Sequence, residues 1–266
     1  MVKKILSITI CVAVLLFIYA PILLLVVYSF TDSNVIGKWD GFSFDLYVQL
    51  FRDAEIMQIL FNTIWLALAA ALLSTVLGTA GAIGIFYSKR KFAKPLQAVS
   101  QIPVINAEIV TAISLALLFS AVFLYRTYLS LIVGHMVLCT PFVVLSVMPK
   151  LKQMDPNIYE AALDLGANPS AALFKVVIPQ IFSGIVSGFM LSITLSLDDY
   201  IVTAFTKPPM FDTISTYVYN AVKNGTNSST PALRALSALI FIVMIAVLLA
   251  INLRARRPAA KKEAAQ

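Results

Sequence analysis

Three carboxylate side chains lie in otherwise apolar stretches of the sequence: Glu108, Asp198 and Asp199. A charged side chain at the centre of a membrane span costs at least about 2.5 to 3.5 kcal/mol, so each acid needs a partner, water or a function. Carboxylates that lie close together can attract a multiply protonated amine, because each charged hydrogen bond contributes about 1.5 to 3 kcal/mol before desolvation. The three acids therefore predict a pathway for a dication or trication, and Ser196 and Tyr200 join them as candidate pathway residues.

Each of these side chains also has a structural explanation. Asp198 and Asp199 could form a solvated turn at the outer end of a helix. Ser196 could bond to the backbone of its own helix, and Tyr200 could anchor a span at the membrane interface. His135, the only histidine, lies in another apolar stretch, where we expect it to pack or to bridge helices rather than to relay protons.

The segment from 150 to 179 carries its own helix signals. Asp155 can cap a helix whose first residue is Pro156, and Gly166 can end that helix in a left-handed conformation. A second short helix can begin after Asn168. Between these points the apolar residues recur at helical spacing, which predicts a small apolar face that needs a partner. The residues of that face are Ile158, Ala161, Ala162 and Leu165.

The composition indicates the elements that must hold these residues. Of 266 residues, 60% are hydrophobic and 12% are charged, against about 45 to 50% and about 25% in globular domains. These values exclude an ordinary soluble protein and predict an all-α, polytopic membrane protein. No G-x-x-x-x-G-K-[ST] loop occurs, so we expect any ATP to be bound by another chain, with no cofactor, catalytic residue or metal site in this one.

The apolar runs predict about six transmembrane helices, each long enough for the roughly 30 Å hydrocarbon core. The segment 95–125 is longer than one span needs, and Pro103 offers a break in it. Small residues in the second run, Gly78, Gly81 and Gly84, predict close helix contact. The predicted spans are 5–30, 59–87, 95–125, 128–148, 176–205 and 233–253, which form one transmembrane domain over 1–253, followed by a basic tail over 254–266.

The basic residues predict the orientation of these spans. Fourteen Lys and Arg fall on the side that holds both termini, and six fall on the opposite side. The positive-inside rule therefore places both termini in the cytoplasm and accounts for the pI of 9.4 without nucleic acid. Counting about 1.5 Å per residue from the cytoplasmic ends, Glu108 and Asp198 both reach the outer half of the bilayer. The acidic outer loop from Thr31 to Gln58 can meet an external partner.

The 150–179 loop resembles the EAA loop of inner-membrane permeases of binding-protein-dependent ABC importers. That pattern reads E-A-A, three residues, G, nine residues, then I-x-L-P. Glu160, Ala161, Ala162, Gly166 and Pro179 fall in register, with Val176 and Ile178 as apolar departures. Within the family the chain is most similar to the second permease of spermidine/putrescine importers, on three segments. They are 192–205 with its double aspartate, 102–114 with Glu108 where we expect Asp, and 139–144.

The resemblance implies the type I ABC importer permease (MetI-like) fold and a non-catalytic subunit of the bacterial inner membrane. The implied cargo is a polyamine. The implied partners are a homologous permease, two copies of a cytoplasmic ATPase and an extracytoplasmic polyamine-binding protein. The loop would act as the coupling helix of the ATPase contact, through Glu160, Ala161, Ala162, Asp164, Gly166 and Pro179.

Three alternatives remain at this point. The chain could be an ABC permease for another small solute such as a metal ion or a sugar, which the identity of the binding protein would decide. It could be a proton-coupled secondary transporter with Glu108 as the relay, although the EAA loop argues against that reading. A membrane-embedded enzyme would need a nucleophile or metal constellation at membrane depth, and we find none in the sequence.

Overall fold

The computed structural model describes residues 2–31, 33, 38–155, 157–224, 232–242 and 245, and the side chains of 2–5 and 224 are not described. The basic tail over 254–266 and most of the predicted sixth span beyond 242 lie outside the described residues. The described part is helical, with a single isolated bridge between Thr31 and Phe42. The all-α prediction is therefore confirmed.

Thirteen helices are numbered along the described chain. Those from the N-terminus to the centre are α1 (Val2–Tyr28), α2 (Asp45–Arg52), α3 (Ala54–Tyr87), α4 (Arg90–Ser100), α5 (Ile102–Ile105), α6 (Glu108–Ala121) and α7 (Tyr128–Gln153). The rest are α8 (Asn157–Asp164), α9 (Pro169–Ala172), α10 (Ile178–Asp198), α11 (Ile201–Thr206), α12 (Ile214–Asn224) and α13 (Ala232–Ile242). A π-helical turn, Leu173–Val177, joins α9 to α10.

Within the described residues, four helical stretches are long and apolar enough to cross a membrane: Leu6–Tyr28, Ala54–Tyr87, Tyr128–Gln153 and Pro169–Asp198. A fifth crossing is possible if the bent pair Arg90–Ile105 and Glu108–Ala121 is a single broken span. The apolar helix α13 is shorter and coincides with the start of the predicted sixth span. A multi-pass membrane protein follows from these helices.

The predicted third span departs most from a straight helix. The helix direction bends by 104° between its two parts. The chain turns at Asn106 and Ala107 rather than at Pro103. Pro103 lies at the start of α5, where a missing N–H breaks no helical hydrogen bond, so it does not itself cause the turn. Asn106 and Ala107 both adopt extended backbone angles, and two consecutive extended residues redirect the chain.

The predicted fifth span, 176–205, is also interrupted. Helix α10 ends at Asp198, Asp199 is extended with φ −64° and ψ 123°, and α11 resumes at Ile201. The helix that contains the second predicted span begins at Ala54, five residues before that span, and the helix that contains the fourth continues to Gln153. These extensions reflect polar helical turns that hydropathy alone does not include.

The chain divides into two compact units, 58–217 and a unit formed by 1–57 with 218–266. In the 58–217 unit, α7 packs along α10, and the buried core includes Ala82, Val143, Val147, Leu151 and Ile181. Glycines permit close contact of α7 with α3, through Gly78, and with α10, through Gly184. A Cβ at Gly78 would lie 2.6 Å from Val143 Cβ, and one at Gly184 would lie 3.0 Å from the Ser146 carbonyl oxygen.

The other unit contains an aromatic cluster that follows α1. The Phe30 ring stacks on Phe42 at 5.7 Å between centroids and packs edge-on against Phe44 at 5.6 Å. Tyr47, on α2, contacts the same Phe30 ring and shares a 2.7 Å hydrogen bond with the Ser29 hydroxyl. These contacts order the chain directly after the first predicted span.

Candidate substrate site

A cavity of about 530 Å³ lies inside the 58–217 unit, where the interruptions of two predicted spans meet. One interruption lies between α5 and α6, and the other between α10 and α11. Both therefore contribute side chains to one space. The lining residues are Pro103, Val104, Asn106, Glu108, Thr111, Leu138, Phe142, Thr194, Leu195, Asp198, Asp199, Tyr200 and Ile201.

All three acids predicted from the sequence line this cavity, although Glu108 lies 90 residues before Asp198 in the chain. Glu108 is the first residue of α6, and its side chain is exposed. The Glu108 carboxyl group interacts electrostatically with the carboxyl groups of Asp199 and Asp198. The estimate that placed Glu108 along a straight helix is wrong because of the 104° bend, yet the bend brings Glu108 to the other two acids.

The two adjacent aspartates differ in what surrounds them. Asp198 is exposed to the cavity at the last residue of α10. Asp199 is 5% exposed, and its side chain accepts hydrogen bonds from Val202 N at 3.1 Å and Thr203 N at 2.7 Å. The Thr203 hydroxyl also donates to Asp199 Oδ2 at 2.7 Å. Asp199 therefore caps the first turn of α11, and Asp198 and Glu108 retain the carboxylates that face the cavity.

Two further predicted residues have separate positions. Tyr200 is half-buried and lines the cavity beside the acids. Ser196 is 3% exposed and does not line the cavity. Its hydroxyl lies 2.8 Å from His135 Nδ1, so Ser196 bonds neither to its own helix backbone nor to the cavity space.

His135 has no exposed surface and bridges three helical segments. Its Nδ1 contacts Ser196 on α10, and its Nε2 lies 2.9 Å from the Thr203 hydroxyl on α11. The same Nε2 lies 3.5 Å from Asp199 Oδ2. The structure thus contains the helix bridge expected for this histidine, and it adds a contact with the capping aspartate that the sequence did not indicate.

Apolar and hydroxyl side chains complete the cavity. Leu138 and Phe142 come from α7, and Leu195 and Ile201 flank the second interruption. Thr111 and Thr194 lie one helical turn from Glu108 and Asp198, a spacing that could have identified them from the sequence. A space with carboxylates beside apolar walls suits a ligand with ammonium groups joined by methylene segments.

The predicted coupling loop forms the helices that its sequence signals indicated. Asp155 Oδ1 accepts from Asn157 N at 2.9 Å at the start of α8, and Pro156 lies outside the described residues. Gly166 has φ +87°, with Gly166 N bonded to the Leu163 carbonyl and Ala167 N bonded to the Ala162 carbonyl. This pair of bonds is the Schellman arrangement that ends helices. Asn168 then caps α9 through a 2.7 Å bond from Ala171 N.

The side chains of that loop are largely open to solvent. Leu165, at the end of the predicted apolar face, is 90% exposed, whereas Ile158 and Ala162 are half-buried. Next to Ile158, Tyr159 packs against the core and contacts the Tyr87 ring at 5.1 Å. The other residues assigned to ATPase coupling, Glu160, Ala161, Asp164 and Pro179, are all exposed.

Comparison with known proteins identifies the class. Residues 74–257 match the family model described as binding-protein-dependent transport system inner membrane component. The chain belongs to this family.

Individual relatives agree over most of the chain. It is 34% identical over 235 residues to the putrescine transport system permease protein PotI of Escherichia coli K12, covering 84% of this chain and 81% of the relative. It is 31% identical over 245 residues to the spermidine/putrescine transport system permease protein PotC of the same organism, covering 92% and 91%. The PotC protein of Haemophilus influenzae is 30% identical, over 91% of this chain and 93% of the relative.

Solved structures share the fold. A bacterial ABC transporter involved in the import of the acidic polysaccharide alginate superposes with a TM-score of 0.71 at 14% identity, covering 96% of both chains. The MetNI methionine ABC transporter gives a TM-score of 0.56 at 17% identity, covering 75% of this chain and 95% of that one. The ABC importer permease fold predicted from the EAA loop is therefore confirmed.

Proposed function

We propose that this chain is one of two permease subunits of an ATP-driven polyamine importer. Glu108 and Asp198 bind the ammonium groups of the cargo, and Tyr200 and the apolar walls contact its methylene segments. Asp199 and Ser196 do not bind the cargo and instead hold the chain around this site. The relatives named as putrescine and spermidine/putrescine permeases support the cargo assignment.

One observation carries the proposal: two distant interruptions of apolar helices bring exposed Glu108 and Asp198 to the same cavity. Carboxylates within a membrane-spanning chain are costly, so a cavity that gathers them gains most from a cationic ligand. A diamine neutralises both acids at once. Its release stays feasible because a transport site must bind weakly enough to let the cargo leave.

In this proposal the chain itself is non-catalytic. A homologous permease completes the pathway, two copies of a cytoplasmic ATPase bind and hydrolyse ATP, and an extracytoplasmic binding protein delivers the polyamine. The exposed residues Glu160 and Leu165 of the coupling loop contact the ATPase. Both termini lie in the cytoplasm of a bacterial cell, with the chain in the inner membrane, as the distribution of basic residues indicates.

The test is transport in proteoliposomes that hold the complex of the two permeases and two ATPase copies, with the binding protein present. Uptake of labelled putrescine is measured with ATP, without ATP, and with an imposed proton gradient instead of ATP. Competition by spermidine is compared with competition by 1,4-butanediol, which has a similar chain without charge. We expect uptake only with ATP, and inhibition by spermidine but not by the diol.

Three results would contradict the proposal. Uptake driven by the proton gradient without ATP would support a secondary transporter. Equal inhibition by the diol would show that charge does not select the cargo. Transport of a sugar or metal ion in place of either amine would keep the ABC permease and replace its cargo.

A further inference from the structure

A buried cluster of hydrogen-bonded side chains lies beside the cavity residues Asp198 and Asp199. Its centre is His135, which does not line the cavity itself. Its two ring nitrogens contact Ser196, near the end of α10, and Thr203, in the first turn of α11. One imidazole ring therefore connects the two helix ends on either side of the interruption at Asp199.

The direction of these hydrogen bonds follows from the available hydrogens. Thr203 has one hydroxyl hydrogen, and the 2.7 Å bond to Asp199 Oδ2 uses it because the carboxylate accepts. Thr203 Oγ1 must then accept from His135 Nε2–H, which leaves Nδ1 of a neutral ring to accept from Ser196. A chain of donors thus runs from Ser196 through His135 and Thr203 to Asp199.

Additional bonds fix the backbone of the interruption. Asp199 accepts from Val202 N and Thr203 N through its side chain. Its carbonyl oxygen accepts from the Ser215 hydroxyl at 2.7 Å. Because residue 199 is held on both its side chain and its backbone, the direction of the preceding residue, Asp198, is held as well. Asp198 is the acid with its carboxylate exposed to the cavity.

We propose that His135 is a positioning residue for transport. It does not touch the cargo, and it holds the interruption between α10 and α11 in the geometry that presents Asp198 to the cavity. This inference rests on the function proposed for the cavity. It is separable from that function, because the placement of residue 198 can be measured without any cargo.

The first measurement compares His135→Phe with His135→Gln in the complete complex. Phenylalanine fills a similar volume but donates and accepts no hydrogen bond, whereas the glutamine amide can still donate to Thr203. We expect His135→Phe to raise the KM for putrescine about tenfold, with Vmax per complex within about twofold, and His135→Gln to remain within about threefold of the parent KM. Thr203→Val breaks the next link without a large change in shape and should raise KM in the same way.

The second measurement needs no transport. Asp198→Cys is introduced into a chain carrying Cys11→Ser and Cys139→Ala, so that residue 198 holds the single thiol. Its rate of reaction with a cationic thiol reagent is compared for His, Phe and Gln at position 135. We expect the Phe variant to change this rate by at least about fivefold and the Gln variant to restore it, since access depends on where the side chain projects.

The two measurements separate the possible failures. If the parent complex carries no putrescine, the proposed cargo is wrong, and the labelling rates still decide the role of His135. If His135→Phe leaves the labelling rate unchanged, the positioning role is overturned. It is also overturned if Phe and Gln lower the amount of assembled complex equally and KM stays at the parent value, because His135 then only packs.

Discussion

Asp198 and Asp199 are adjacent in the sequence, and the structure gives their carboxylates different surroundings. Asp198 faces the cavity, whereas Asp199 is buried and bonded to the first turn of α11. The sequence predicted that both acids matter but could not separate them. The difference between the surroundings of the two aspartates depends on Thr203, His135 and Ser215. Of these residues, His135 lies on α7 and Ser215 lies on α12.

Amide substitution should therefore affect the two aspartates differently. Asp199→Asn places amide hydrogens against backbone donors, so we expect it to destabilise the complex by about 1 to 3 kcal/mol. Asp198→Asn should leave the unfolding temperature unchanged and lower polyamine uptake. Thermal unfolding of the purified complex measures the first effect, with exposed Asp45→Asn as the matched control. Equal unfolding temperatures for both variants would remove the capping role of Asp199.

The long apolar runs of the sequence coincide with long helices in the described chain, as expected if the bilayer requires continuous apolar helices of about 20 residues. The interruptions were not predicted at their positions. Pro103 is the strongest breaker signal in its segment, yet the turn occurs at Asn106 and Ala107. The double aspartate allowed a solvated turn at the outer end of a helix but did not indicate a buried break, because the break also depends on bonds from His135 of α7 and from Ser215.

Close helix contact was predicted for three glycines, and the structure distinguishes them. A Cβ at Gly78 would collide with Val143, whereas one at Gly84 meets no atom within 4 Å. We expect Gly78→Ala to destabilise the complex by about 1 to 3 kcal/mol through overpacking. Gly84→Ala, on the same helix, should be neutral or stabilising by up to about 1 kcal/mol. Unfolding temperatures of the two variants in detergent decide this, and a loss of equal size would contradict the packing account.

The end of α8 at Gly166 offers a test of the proposed contact between the coupling loop and the ATPase. Gly166 has φ +87° with no atom within 4 Å of an added Cβ, so a larger residue is limited by backbone strain rather than by space. We expect Gly166→Val to leave the chain in the membrane but to reduce ATPase co-purification and ATP-dependent uptake, because valine avoids positive φ. Gly166→Asn is the matched control, since asparagine tolerates this conformation.

The exposed acid of the same loop gives an independent variant. Glu160→Lys reverses a charge at the proposed ATPase contact without changing the end of α8. It should therefore uncouple ATP hydrolysis from uptake. Normal co-purification and normal uptake for both Gly166→Val and Glu160→Lys would show that this loop does not contact the ATPase.

The orientation of the whole molecule in the membrane is predicted from the distribution of charge rather than from packing. Fourteen of the twenty Lys and Arg lie on the side assigned to the cytoplasm. In a chain carrying Cys11→Ser and Cys139→Ala, Ser43→Cys should react with a membrane-impermeant reagent from outside. Ser170→Cys, which is exposed at the start of α9, should react only after the membrane is opened. The opposite pattern would reverse the orientation.

In the proposed function, the carboxylates gathered by two interrupted helices bind the polyamine during ATP-driven import. This claim is tested most directly by the KM for labelled putrescine and spermidine in proteoliposomes holding equal amounts of complex. The variants are Glu108→Gln, Asp198→Asn and their combination. The matched control is Asp155→Asn, which changes an exposed acid before α8 and keeps an oxygen that can cap that helix.

Each cavity variant should raise KM about tenfold, since a charged hydrogen bond contributes about 1.5 kcal/mol or more and 1.4 kcal/mol is a factor of ten. The combined variant should raise it further, and the effect should be larger for spermidine, because a trication interacts more strongly with the acidic cavity. The control variant should keep the parent KM. Parent KM values for both amines in the combined variant would contradict the account.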